Sequence, residues 1–481
     1  MSIVKICPFI SIELHIYIDV DTHCKIPYNG SMERFHIFIP AIPVNSTVVY
    51  LYQIAKTFGG AIILEARILK PEEKVYLDRL DSICFAYADS EDYEKKLENP
   101  LEHCEGYERA WGGFDDNGNL CAGLVMVPYA MQFDGKTVGM YGIGSVATLP
   151  EARSSGVMSV VLNQCLRHMR EKGLLFSTLY PFSYSYYRKF GYELAYRINK
   201  AEIPIEAFSG FPFPKGQVHH IKKSDFVSKL PDLKQIYNSF KTHRNYAITR
   251  DDKRWEELAG KDPYRTLHYT YICYDKENIP SAYLLFHKEV GEPGGRHTIV
   301  IDELVWSGGR HTVAIDEMAW SNENALWDMF GFIGGLSPQF GQVKWNVPDG
   351  IDVFSIFPEA WDISLTREAS LMTRILDLPS VLSIMKVPNR PSRRVVLDVK
   401  DKVFPENTGK YEVSWEGGVI SVSTTDKSAD METSIETMAQ LVTGYITPSQ
   451  AIYKTDTVIH SQLEALQSLF PRKDLYIIER F

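Results

Sequence analysis

"SVATLPEARSSGVMSVVLNQCL", residues Ser145 to Leu166, changes character in its middle. An alternating, strand-like run stops at Pro150, and an apolar-periodic helix begins near Gly156. Between them stand Arg153, Ser154, Ser155 and Gly156, where a helix ordinarily receives a single capping residue. A helix N-terminus exposes main-chain N–H groups and carries partial positive charge. A glycine that lets the backbone come close, beside an arginine and small hydroxyls, suits a phosphate or pyrophosphate. The same residues also fit an ordinary serine cap next to a solvated arginine, because one glycine turn is weak evidence.

Outward from this turn the text is regular. "LKPEEKVYLDRLDSICFAYA" sets Val75, Leu77, Leu80, Ile83 and Cys84 at near-helical spacing after Pro71. The pairs Asn117-Gly118 and Asp134-Gly135 separate apolar, β-rich runs, a signature of antiparallel strands. The helix after the turn puts Val157, Val161, Cys165 and Met169 on one stripe and ends near Gly173. "LLFSTLY" then reads as a buried strand, and "FSYSYYRKFGYEL" as a short helix closing on Gly191 before another strand. This succession predicts one α+β domain over residues 65–200.

A second mixed segment spans 201–387. Within it "RHTIVIDELVWSGG" (296–309) is followed by "RHTVAIDEMAWSNE" (310–323), a near-copy with a 14-residue period. Two copies are too few for a solenoid, so an added strand or a bulging loop is expected. Pro388, Pro391 and the arginines between and after them read as a linker. A small sheet with helices is expected over 388–481. Residues 1–64 hold apolar pieces interrupted by Asn45, Lys56 and prolines, which excludes an 18-residue apolar span. They show no basic region leading into a short apolar core, so no signal peptide is expected, and their role stays open.

The chain has 481 residues, enough for two to four domains, with 45% hydrophobic and 23% charged residues. A formal charge of −10 argues against nucleic acid or an anionic membrane as the partner and suits a cationic substrate. Seven cysteines without paired spacing read as reduced intracellular thiols, and so as a cytoplasmic protein. The thirteen histidines show no metal-type spacing, so no metal is expected.

"VATLPEARSSGVM" resembles the acyl-CoA-binding strand-loop-helix of the GNAT acetyltransferases, whose loop reads R/Q-x-x-G-x-G/A; Arg153 and Gly156 match, and Met158 replaces the small last residue. "YPFSYSYYRKFGYEL" resembles the tyrosine-bearing helix and strand of the Eis (enhanced intracellular survival) subgroup, with its S/T-x-Y-x-R/K-F-G-Y-like element. The resemblance extends over residues 65–481, through "RDDKRWEEL", "MTRILDLPSVL" and the ending "LYIIERF"; the first 64 residues and the duplication depart from it.

The resemblance implies tandem GNAT-like domains, catalytic at 65–200 and degenerate at 201–387, and a sterol-carrier-protein-like domain at 388–481. It implies an acetyl-CoA-dependent N-acetyltransferase acting on aminoglycoside, polyamine or lysine-like amines. Val146, Ala147 and Thr148 would face the pantetheine arm, Arg153, Ser154, Ser155, Gly156, Val157 and Met158 would hold the pyrophosphate, and Phe182 and Ser183 would line the opposite wall. Tyr187 would be the general acid, since a phenol near pKa ~10 can protonate a thiolate; Tyr184 and Tyr186 stand close enough to compete. The carboxylate of Phe481 would be the base, against the alternative of a terminal strand edge with no role. A homo-oligomer is implied too, hexamers being common in the subgroup. Two other readings stay open: a non-catalytic acyl-CoA or lipid-binding protein working through its carrier-like domain, and an enzyme whose acyl donor is altered by Met158.

Overall fold

A computed structural model describes residues 65–85, 93–289 and 311–481 with their side chains, and only the backbone of short strand pairs within 3–25. The remainder of 1–64 and the first copy of the duplication, 296–309, lie outside the described residues. The chain divides into two compact units: residues 1–125 with 145–165, and residues 126–144 with 166–481.

The first unit holds β1 (Glu65–Ile68), α1 (Lys74–Phe85) and β2 (Ala110–Phe114). It also holds the start of β3 (Leu120–Phe133), the end of β4 (Lys136–Thr148) and the start of α2 (Val157–Glu171). β1, β2 and β3 pair antiparallel, with the Asn117-Gly118 turn between the last two. The expected helical stripe is present in α2: Val157, Val161, Cys165 and Met169 are all buried. Glycine lets α2 lie directly on β2, since a Cβ at Gly113 would come 2.5 Å from Val157 and 2.7 Å from Val161. Along α1, Val75, Leu77 and Leu80 are buried. Ile83 departs from its expected place: the side chain is exposed, and Asp81 takes an inward position instead.

In the second unit β3 turns through Asp134-Gly135, both at positive φ, into β4. β4 pairs in parallel with β5 (Phe176–Leu179) from Met140↔Phe176 to Ile143↔Leu179, although β4 itself runs on to Thr148. After β5 come α3 (Tyr184–Arg188), β6 (Glu193–Leu194) and β7 (Arg197–Pro204). β8 (Gln217–His220), α4 (Phe226–Lys241), β9 (His268–Tyr274), β10 (Pro280–Glu289), β11 (His311–Trp320), α5 (Glu323–Gly334) and β12 (Phe340–Val347) follow. With β7 and β13 (Ser364–Ala369) these strands make a seven-stranded sheet, β8-β9-β10-β11-β12-β7-β13. The second copy of the duplication supplies β11, antiparallel to β10 and parallel to β12.

β14 (Met372–Ile375) belongs elsewhere. It leaves the second sheet and pairs antiparallel with both β5 and β6. Its Arg374 has a fully buried side chain in an ion pair with Asp401 (2.6 Å). The last region forms a five-stranded sheet, β17-β16-β15-β18-β19. Its strands are β15 (Arg393–Lys400), β16 (Gly409–Glu416), β17 (Val419–Thr424), β18 (Met431–Ser434) and β19 (Val458–Ile459). α6 (Ile435–Thr443) starts on the Ser434 cap and stops at Gly444, whose φ is +73°. The segment around Pro388 carries no helix or strand but is not a loose tether, because Met385 and Val387 are buried.

Candidate active site

The residues singled out in sequence fall in both units. Val146, Ala147 and Thr148 close β4, followed by one 3-10 turn, Pro150–Ala152. Arg153, Ser154, Ser155 and Gly156 are exposed between that turn and α2. Ser154 (φ +66°) and Gly156 (φ +89°) alternate with residues of ordinary φ. That alternation turns successive N–H groups toward one side of a loop. The Val157 N–H donates to the Ser155 hydroxyl (3.3 Å), which itself donates to the Ala152 carbonyl (2.7 Å). Among the described residues the N–H groups of Ser154, Gly156 and Met158 find no protein acceptor. The side chains of Val157 and Met158 are buried, and of their two N–H groups only that of Met158 is left without an acceptor among the described residues. Arg153 folds back, its Nε donating to the Thr148 carbonyl at 3.4 Å.

One neighbour of this turn escaped the sequence reading. Ser145 holds a left-handed φ of +49°, which a side-chain-bearing residue seldom adopts. Its hydroxyl reaches the carboxyl of Asp81, a 6% exposed residue of α1 whose Oδ1 has no partner among the described residues. Burial pushes that carboxyl up to about 6, against the opposing pull of Ser145 and Lys74. The signal was present: Asp81 follows Leu77 by one helical turn, a charged residue on the buried face.

In the second unit, Ser183 caps α3, accepting the Tyr186 N–H, and Tyr187 is 2% exposed. Phe182 is 71% exposed and packs edge-on against Tyr187 with ring centroids 5.2 Å apart. Tyr186 and Tyr192 also contact the Tyr187 ring. Burial raises the Tyr187 phenol above its ordinary range, so it is protonated at neutral pH and able to donate. Nearby hydroxyls are occupied: Tyr180 donates to the Glu479 carbonyl (2.7 Å), Tyr184 reaches the Ala369 carbonyl (3.3 Å), and Tyr192 pairs with Ser177 (2.7 Å). The Tyr187 hydroxyl has no such partner among the described residues, which leaves its proton available.

The final residues are held along their length. The Asn245 main chain donates its N–H to the Asp474 carbonyl and accepts the Tyr476 N–H, both at 2.9 Å, and the Tyr476 hydroxyl donates to Glu317 (2.8 Å). Arg250, fully buried at its side chain, pairs with Glu317 (2.8 Å) and Glu479 (2.6 Å) and lies over the Tyr237 ring at 4.0 Å. Burial works against the Arg250 charge, but these two carboxylates overcome it and hold its pKa well above normal. Phe481 then packs between Tyr180 (5.2 Å) and Tyr129 (5.6 Å). It rests on β4 where only glycine allows it: a Cβ at Gly142 would lie 2.5 Å from its ring, and one at Gly144 would lie 2.6 Å from its carboxyl carbon. The greasy last residue is therefore docked at the end of the β4–β5 pairing. Arg250, Glu317 and Glu479 each lie in a stretch quoted above, "RDDKRWEEL", the second copy of the duplication and "LYIIERF", but these stretches are distant in sequence and no local pattern pairs them.

Family comparisons agree with this architecture. An acetyltransferase (GNAT) domain family matches residues 65–195 and a second such family matches 247–375. A sterol carrier protein domain family matches 378–478. The chain belongs to the GNAT acetyltransferases and is an acyltransferase. Within that class its architecture is Eis-like, two GNAT domains followed by a sterol-carrier-type domain.

Three solved structures share the fold, each over 87% of this chain. They are a GCN5-related N-acetyltransferase from Anabaena variabilis (21% identity, TM-score 0.72, 100% of that chain), a probable N-acyltransferase from Enterococcus faecalis (20%, 0.70, 99%), and Eis1 from Mycobacterium abscessus (14%, 0.69, 100%). No curated protein matches the chain. No helix among the described residues is long and apolar enough to cross a membrane.

Proposed function

We propose that the chain transfers the acetyl group of acetyl-CoA to a cationic small-molecule amine of the polyamine, aminoglycoside or lysine type. The turn from Arg153 to Met158 receives the pyrophosphate on its free N–H groups, and Val146, Ala147 and Thr148 receive the pantetheine arm. Phe182 and Ser183 wall the reacting end. The neutral amine attacks the thioester carbonyl carbon, the main-chain N–H of Val146 steadies the developing oxyanion, and the carbon–sulfur bond breaks. Tyr187 gives its proton to the leaving thiolate, and the carboxylate of Phe481 takes the proton lost by the amine. Residues 65–200 form the catalytic domain, 201–387 a degenerate copy, and 388–481 the domain that delivers Phe481. A homo-oligomer working in the cytoplasm completes the reading.

The observation that carries it is the docking of Phe481 on Gly144, beyond the last β4–β5 pair at Ile143↔Leu179. Support for Tyr187 comes from its buried, protonated phenol with an unengaged hydroxyl. The test is release of free thiol from acetyl-CoA with a panel of amines, run beside Tyr187→Phe. Turnover with amines is expected, and the variant should lose about 100-fold in kcat with acetyl-CoA binding intact. Binding of acetyl-CoA without turnover by any amine would favour an acyl-CoA or lipid-binding module instead.

A further inference from the structure

The second sheet carries a side-chain cluster that acetyl transfer does not use. His268 opens β9, His287 lies near the end of β10, and Asp316 lies in the middle of β11, on three adjacent strands. His268 and His287 stand directly opposite each other, rings 5.1 Å apart. Opposite β10 the register shifts: Leu285 pairs with Glu317 and Phe286 with Ile315, leaving Asp316 as the extra residue of a β-bulge. A bulge re-aims a side chain. Ile315 and Glu317 stay buried, while the Asp316 carboxylate meets His287, its Oδ1 lying 2.9 Å from Nδ1.

The hydrogen bonds indicate where lone pairs face. Nδ1 of His268 lies 2.7 Å from the Thr266 carbonyl, which only accepts, so Nδ1 carries a proton. In the neutral ring Nε2 is then an acceptor, and it faces the other acceptor, Asp316 Oδ2, at 3.9 Å. One donor atom from each of the three side chains lies within 4.8 Å of the others. Ligands about 2.0–2.2 Å from a zinc-type ion stand roughly 3–4 Å apart. Here the two oxygens of Asp316 face the two rings, Oδ1 at 2.9 Å from His287 and Oδ2 at 3.9 Å from His268, so small side-chain shifts bring one donor from each residue onto a common ion. An imidazole donating its other N–H to a main-chain carbonyl is also how ligating histidines are held.

We propose that His268, His287 and Asp316 form a three-ligand site for a divalent transition metal, with water completing the coordination. Two imidazoles and one carboxylate select zinc, cobalt or nickel over magnesium or calcium. The ion would clamp β9, β10 and β11 together. The third ligand comes from the second copy of the duplicated segment, so the repeat, which acetyl transfer does not use, acquires a chemical role. Spacing along the sequence could not reveal the site, because each ligand comes from a different strand.

The test uses the full chain, stripped of metal and checked for folding by circular dichroism. Zinc binding is followed by calorimetry, and Co2+ by its visible absorption. The proposal expects one equivalent bound per chain, a higher melting temperature with zinc, and affinity weakened more than about tenfold in both Asp316→Asn and His287→Ala. Asp316→Asn keeps the size of the side chain, so a folded variant that has lost zinc reports on ligation. Absence of a bound equivalent in the folded wild-type chain would overturn the site. So would zinc affinity unchanged in the two variants.

Discussion

Asp81 is a carboxyl kept in the interior at a cost. Its folded pKa of about 6 lies above the usual value near 4, so the folded state holds the proton more tightly than the unfolded chain does. Ionisation therefore penalises folding above about pH 6, and the penalty fades as pH falls through 6 toward 4. Asp81→Asn should stabilise the protein at pH 7 by on the order of 2 kcal/mol, and the gain should vanish near pH 4. Urea denaturation at both pH values checks this; an equal effect at the two would remove the buried charge as its cause. Residue by residue, the sequence yielded what periodicity can carry. Val157, Val161, Cys165 and Met169 were legible because burial repeats along a helix face. Ile83 departs from its expected place because hydrophobicity alone cannot tell the edge of a stripe from its centre, whereas Asp81 is marked only by its position one helical turn after Leu77.

Elements were legible where turn chemistry is local, and illegible where pairing is distant. Asp134-Gly135 announced its turn because few residues tolerate its positive φ. β14, by contrast, lies beyond the strands of the second sheet in sequence yet pairs with β5, and no local pattern names a strand's partner. The final segment belongs to the same class. Its hold rests on Arg250, which bridges Glu317 and Glu479 with all three side chains fully buried. Removing one member leaves buried charge uncompensated. Glu479→Gln should cost about 3 kcal/mol in stability and lower kcat by more than it raises KM for acetyl-CoA, since it loosens Phe481 rather than the turn. Thermal melts paired with steady-state kinetics would decide; a stability loss with unaltered kcat would make the anchor purely structural.

Across the whole molecule, the turn, the phenol and the final carboxyl group come from widely separated parts of the chain, and only the first two carried motifs. The domain order was legible only through the resemblance carried by the turn, the tyrosine-bearing helix and the quoted later stretches, and the family matches, GNAT at 65–195 and 247–375 and sterol carrier at 378–478, come in that order. The docking of Phe481 on Gly142 and Gly144 was not readable, since the glycines and the aromatic ring are far apart in sequence. The decisive measurement is kcat for thiol release from acetyl-CoA with the chain extended by a few glycine and serine residues after Phe481, compared with the unextended protein at matched melting temperature. A fall of about 100-fold, with acetyl-CoA still bound, is the predicted result. Full activity in the extended chain would contradict a catalytic role for the Phe481 carboxylate.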